Sequence, residues 1–169
     1  MVQASCSMLG DMTIQRMDNV GIAVDDLAGA IAFFVELGLT LEGEARVEGR
    51  WADRVVGLDG VQVDVAMMPT PDGHGRLELM KFHSPTADRA EPKTAPANTL
   101  GIRRIMFAVD GIEDVVARLR AHGAELVGEL AQYEDKYRLC YVRGPEGIIV
   151  ALAEQLTLRL VGSRKSRRD

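Results

Sequence analysis

The apolar positions of this chain alternate in short runs, shift to helical spacing, and then repeat that order. In residues 19–24, Val20, Ile22 and Val24 alternate with Asn19, Gly21 and Ala23, the period of a strand whose branched side chains share one face. Asp25 and Asp26 follow, where a helix start needs acceptors for free N–H groups. Ala30, Ile31, Phe33, Phe34 and Leu37 then supply an apolar side over about three turns, and Gly38 ends the helix. Residues 39–47 read as a second strand, and 48–60, which hold Trp51, as a segment without clear period. A third strand is expected over 61–68, a turn at PTPDGHG (69–75), and a fourth strand at RLELMKF (76–82).

The pattern then returns. NVGIAVDDLAGAIAFFVELGLTLEGE (19–44) aligns without a gap on RIMFAVDGIEDVVARLRAHGAELVGE (104–129), so that Ala23 meets Ala108, Asp25 meets Asp110 and Gly38 meets Gly123. Such self-similarity marks an internal structural repeat. It predicts a strand over 102–109, a helix over 113–122, and strands over 124–130, 138–142 and 148–153. The turn before the last strand, Pro145-Glu146-Gly147, echoes Pro71-Asp72-Gly73. Between the repeats, Pro85, Pro92 and Pro96 block regular structure. The expected fold is α+β: a βαβββ module at 17–83, a linker at 84–101 and a second βαβββ module at 102–155. Residues 1–16 are expected to be a disordered or extended leading segment, and 156–169 a basic tail.

With 169 residues, 47% of them apolar, the chain is long enough for one core and too short for two ordinary domains. A formal net charge of −5 argues against nucleic-acid binding, which needs a concentrated basic face. The basic cluster Arg164, Lys165, Arg167 and Arg168 reads as a solvated tail. Cys6 and Cys140 make no disulfide framework or paired-cysteine metal motif, which suits a reducing cytoplasm. No apolar run approaches the ~20 residues that span a bilayer, and the first residues lack the pattern of a secretory signal. A cytoplasmic protein without membrane partners is expected.

The doubled module resembles the vicinal oxygen chelate superfamily, the glyoxalase, bleomycin-resistance and extradiol-dioxygenase group, over residues 17–155. NVGIAVDDL (19–27), RLELMKF (76–82), RRIMFAVDGI (103–112) and RGPEGIIVALAE (143–154) carry the resemblance. It implies that each module curls its mixed sheet into half of a cup with the site inside, and that the chain forms a homodimer. Metal-using members place a ligand near the start of the first strand and another in the last strand of each module, positions that here hold Asn19, Glu78, Arg104 and Ala151. A divalent metal with N and O ligands wants His, Glu or Gln at such places. Glu78 qualifies. Asn19 offers a weak carbonyl oxygen, Arg104 has no lone pair to give and repels a cation, and Ala151 offers nothing. The expectation is therefore no cofactor, or one weakly bound divalent metal ion on Glu78. Among the histidines, His74 could join Glu78, His122 reads as a helix-end residue, and His83 has the parity that points away from the cup.

The same residues allow another chemistry, in which Glu78 and Arg104 face each other across one apolar cavity. Arg104 would grip an anionic ligand with two hydrogen bonds and Glu78 would act as base or orienting acceptor, which makes these two the catalytic candidates. Mutual neutralisation of the pair is the competing reading. Asn19, Met80, Met106, Trp51 and Tyr137 complete the candidate ligand-binding set, with Trp51 as a lid and Tyr137 at the mouth. The expected partner is a small organic molecule, and Arg104 favours an anionic one. Whether the protein is an enzyme stays open. The alternatives are a metal-dependent lyase, epimerase or dioxygenase with an altered metal site, or a metal-free enzyme using Glu78 and Arg104. Open as well is whether the cup closes within one chain or by exchange of modules between two.

Overall fold

The computed structural model describes residues 16–89 and 91–156. The expected leading segment, apart from Arg16, and the basic tail beyond Leu156 lie outside the described residues, as does Cys6. In the first module, β1 (Val20–Ala23), α1 (Leu27–Leu37), β2 (Gly43–Glu48), α2 (Arg50–Val56), β3 (Gln62–Pro69) and β4 (Arg76–Ser84) follow one another. Their sheet has the order β1-β4-β3-β2, with β1 parallel to β4 and the other pairs antiparallel. The second module contains β5 (Arg104–Ala108), α3 (Ile112–Ala121), β6 (Glu125–Leu126), β7 (Ala131–Tyr133), β8 (Tyr137–Arg143) and β9 (Ile149–Gln155). Its sheet runs β5-β9-β8-β6, again with a parallel edge pair, and β7 adds to β8. Both sheets are curved and mixed, in an α+β fold.

The local reasons are those of the sequence, with three corrections. Asp26 caps α1 by accepting from the Gly29 N–H at 2.9 Å, and the N–H groups of Gly38 and Leu39 close its C-terminus on the Phe34 carbonyl. The expected strand over 39–47 starts only at Gly43, because Leu39 still completes the helix end. The segment read as irregular holds α2, which is short and bracketed by Gly49 (φ 98) and Gly57 (φ 76); only Ala52 is buried, so no apolar stripe announces it. The expected strand over 124–130 is two short pieces, β6 and β7, interrupted at Gly128.

The packing decides the arrangement of the modules. Val24 and Ile22 from the β1 side, Leu77 and Leu79 from β4, Phe33 and Phe34 from α1, Val116 and Leu119 from α3, and Val142, Val150 and Leu152 from β8 and β9 form one core. The Phe33 and Phe34 rings meet edge to face with centroids 5.2 Å apart. Helix α1 packs on β3 and β4, α3 packs on β8 and β9, and the two helices also touch each other. If the sheets lay edge to edge through β1 and β5, helices over β4 and β9 would be about 14 Å apart at ~4.8 Å per strand, too far for contact. The helices therefore lie between the sheets. Each sheet turns its helix-bearing face inward, and its other face points out of the shared core.

Several side chains clasp the modules together. Glu36 of α1 pairs with Arg118 of α3 at 2.7 Å, and His122, at the end of α3, comes within 3.7 Å of the same carboxylate. Glu146 accepts from the Asp25 N–H at 3.0 Å and pairs with Lys93 at 2.7 Å. Arg143 donates to the carbonyls of Lys93, Thr94, Ala95 and Gly147, which straps the linker against the turn before β9. Among the described residues, no helix is long and apolar enough to cross a membrane.

Candidate functional site

Strand parity and register place the candidate residues on the outward faces. On the first sheet, Leu77 and Leu79 enter the core while Glu78 and Met80 turn outward, opposite Met67 and Val65 of β3 and beside Gly21 and Ala23 of β1. A Cβ at Gly21 would sit 3.0 Å from the Met80 Cε, so the glycine leaves room for that side chain to lie across the strand. Val47, Val65, Met80 and Phe82 pack with Ala52 of α2, Val61 and Val63 in a second apolar cluster on this outer face. Helix α2 thus covers the end of the face where β4 finishes. Trp51, at the start of α2, is exposed rather than packed. Asn19 immediately precedes β1.

On the second sheet, Ile105, Phe107 and Val109 pack on the core, and Arg104, Met106 and Ala108 face outward. Register sets Ile149, Ala151 and Ala153 of β9 on the same face, with Tyr141 of β8 opposite Ala151. The Arg104 guanidinium lies over the Tyr141 ring, 5.4 Å from its centroid, a cation–π contact. Tyr141 is not among the residues singled out from the sequence; its parity with Tyr137 in the same strand was the available signal. Tyr137 opens the same strand on the same parity. Neither Glu78 nor Arg104 enters an ion pair among the described residues. The neighbouring Arg103 is neutralised by Glu91 through two hydrogen bonds of 2.8 and 3.2 Å.

Within one chain these two sets do not meet, since the faces that bear them point away from the common core on opposite sides. Glu78 and Arg104 thus stand on different sheets, whose helix-bearing faces pack toward each other through α1 and α3. A groove of about 590 Å³ runs along the open edge of β5, lined by Ile105, Phe107, Val20, Leu39 and Leu77, with His74 at its rim. The His74 N–H is held by Asp72 at 3.0 Å in the turn before β4.

His83 turns away from the outward face, as its parity requires, and sits 2.6 Å from Asp64. Asp64 also accepts from Arg46, and these hydrogen bonds, Arg46 first and His83 second, hold its carboxyl down to about 2. Among the described residues, no group of three or more His, Cys, Asp or Glu side chains is placed to hold a metal ion.

Comparison with known proteins matches this geometry to a family. The family model described as the Glyoxalase/Bleomycin resistance protein/Dioxygenase superfamily matches residues 16–152. The Escherichia coli (strain K12) protein YaeR is 27% identical over 149 residues, covering 88% of this chain and all of that one (100%). The crystal structure of a glyoxalase family protein from Bacillus cereus is 55% identical, with a TM-score of 0.83 over 88% of this chain and 99% of that chain. A glyoxalase family protein from Enterococcus faecalis shares the fold at 21% identity, with a TM-score of 0.57 over 85% and 100% of the two chains. With two βαβ-based modules, the four marker motifs in order and a family match over most of its length, the chain belongs to the glyoxalase/bleomycin resistance protein/dioxygenase superfamily.

Proposed function

We propose that this protein binds a small anionic organic molecule in a cup built from the outward face of the first sheet of one copy and the outward face of the second sheet of another. The observation that carries the reading is Arg104, an exposed guanidinium laid on Tyr141 in an apolar face and without an acidic partner among the described residues. Desolvated on one side and oriented by the ring, it is suited to a two-pronged hydrogen bond with a carboxylate. Glu78, with Met67 and Met80 around it on the other half, supplies an acceptor in an adaptable apolar wall.

Internal repetition supports the homodimer. The edges of β1 and β5 are equivalent elements of the two modules, and among the described residues each leaves a row of backbone groups unpaired. Joining β1 of one copy to β5 of a second produces the same contact twice about a two-fold axis, which closes the assembly as a dimer with two cups. A cytoplasmic setting fits Cys140, a buried free thiol.

The donors at the family's metal positions do not fit a divalent ion, because only Glu78 among Asn19, Glu78, Arg104 and Ala151 offers a charged oxygen. The reading therefore runs without a metal. The test is calorimetric titration of the purified protein with a panel of small aromatic carboxylates, and separately with Zn, Ni, Mn and Fe(II), on the parent, Glu78→Ala and Arg104→Ala. Carboxylate binding lost in Arg104→Ala is the expected result. Stoichiometric metal binding lost in Glu78→Ala would overturn the metal-free reading and open assays for lyase, epimerase and dioxygenase activity.

A further inference from the structure

Helix α1 is apolar on the side that the core leaves open. Ala30, Phe33, Phe34 and Leu37 are buried, while Ala28, Ala32 and Val35, at helical spacing on the outer side, are exposed. With Leu27, Ile31 and Leu41 they wall a groove of about 560 Å³. Its other wall is the helix-bearing face of the first sheet, from which Glu44, Asp64, Lys81 and His83 enter.

In the second module the same place is closed by charge. The gapless repeat sets Ala28 on Glu113 and Val35 on Arg120, and strand register sets Asp64 on Arg138 and Lys81 on Glu154. There Glu113 reaches from α3 to Arg138, which also comes within 3.6 Å of Glu154, so helix and sheet satisfy each other. In the first module Ala28 has nothing to reach with. Asp64 is taken from both sides instead, by Arg46 and by the His83 Nε2 at 2.6 Å. Lys81, directly opposite Asp64 in register, is left without an acidic partner among the described residues. Asp26 is held at the cap of α1 by the Gly29 N–H, and Glu44 stands two strands from Lys81, roughly 10 Å away at ~4.8 Å per strand.

We propose that this groove is a second binding site, for an amphiphilic organic anion whose carboxylate rests on the Lys81 ammonium beside His83 and whose apolar chain lies along Ile31, Val35 and Leu41. The ligand supplies the anion that the second module carries in its own chain, through a charge-assisted hydrogen bond. Its chain covers Val35 and Leu41, which are otherwise 48% and 41% exposed. Every residue lining the groove belongs to the first module, so the site is complete within one copy and does not depend on the dimer.

Octanoate is the probe, titrated into methyl-labelled protein and followed by NMR, with 1-octanol as the uncharged control. The expected result is saturable shifts at the Ile31, Val35 and Leu41 methyls, with octanol binding about tenfold more weakly. Ala28→Glu restores the second module's acid at an exposed position in the first turn of α1, where a carboxylate favours the helix dipole, so the fold should be kept. It should weaken octanoate to the level of octanol, and Lys81→Met should do the same without adding an acid. Shifts confined to the Met67, Met80 and Met106 methyls would put octanoate in the cup alone and overturn the second site, as would the absence of saturable shifts. Equal binding of octanol and octanoate, or undiminished octanoate binding in both variants, would overturn it as an anion site.

Discussion

The ring of Phe33, in the helix of the first module, lies against Gly144, in the turn before the last strand of the second, so closely that a Cβ at Gly144 would come within 2.9 Å of the ring carbon Cζ. This contact holds the modules in their back-to-back order. Phe33 is almost completely buried and has no room to retreat.

Gly144→Ala is accordingly expected to destabilise the protein by about 1–3 kcal/mol through overpacking. The glycine has φ −100, which alanine adopts freely, so the effect is steric and not a matter of backbone strain. Adding Phe33→Leu to Gly144→Ala should cost less than the sum of the two single changes, since the smaller side chain relieves the clash. Urea unfolding midpoints of the four proteins decide it, and additive losses would show that the two residues do not press on each other.

Acid should act on the first sheet through Asp64. Its carboxyl is held at about 2 against an ordinary 3.8 by hydrogen bonds from Arg46 and His83. A carboxyl with a lowered folded pKa adds stability that is present above the unfolded value and lost as the pH falls through the folded one. The parent should therefore lose stability across that window, and Asp64→Asn should show a shallower fall there. An Asp64 carboxyl titrating near 3.8 by NMR in the folded protein would contradict this.

Cys140 faces the core from β8, and burial pushes its thiol pKa upward. Only the thiolate reacts with disulfide reagents, so both access and ionisation work against modification. In a Cys6→Ser variant, where Cys140 is the remaining thiol, labelling is expected to appear only as denaturant unfolds the chain. Prompt stoichiometric labelling of the native protein would place Cys140 nearer solvent than described.

The Tyr141 ring should matter to Arg104 more than to folding. An exposed cation–π contact contributes about 0.5–1 kcal/mol, so Tyr141→Leu should weaken carboxylate binding by roughly two- to fivefold. Arg104→Lys keeps the charge but not the planar fork and should weaken it by about tenfold or more. Calorimetric affinities rank the variants, and a lysine that binds as well as arginine would mean that charge alone recruits the ligand.

Much of this was legible in the chain because its signals are local. The alternation of Val20, Ile22 and Val24, the cap at Asp26 and the stop at Gly38 depend on neighbours a few residues away, and the repeat of the whole unit follows from counting. The same is true of which side of each strand carries Glu78, Met80, Arg104 and Met106, since parity is a property of the backbone. Helix α2 was not legible, because seven residues with one buried side chain produce no period. The split of β6 and β7 was hidden for a related reason, as two- and three-residue strands are held by register with β8 and not by their own pattern.

By itself, then, the sequence determined that there are two like modules, where their elements other than α2 and the β6–β7 pair begin and end to within a few residues, and which side chains the longer strands turn to each face. Only the tertiary structure decided that the helices meet between the sheets, that Phe33 reaches Gly144, that Tyr141 lies under Arg104, and that the two outward faces point apart within one chain. Those relations join residues far apart in the chain through shape and contact area, and no local spacing encodes the angle at which two finished modules come to rest against each other.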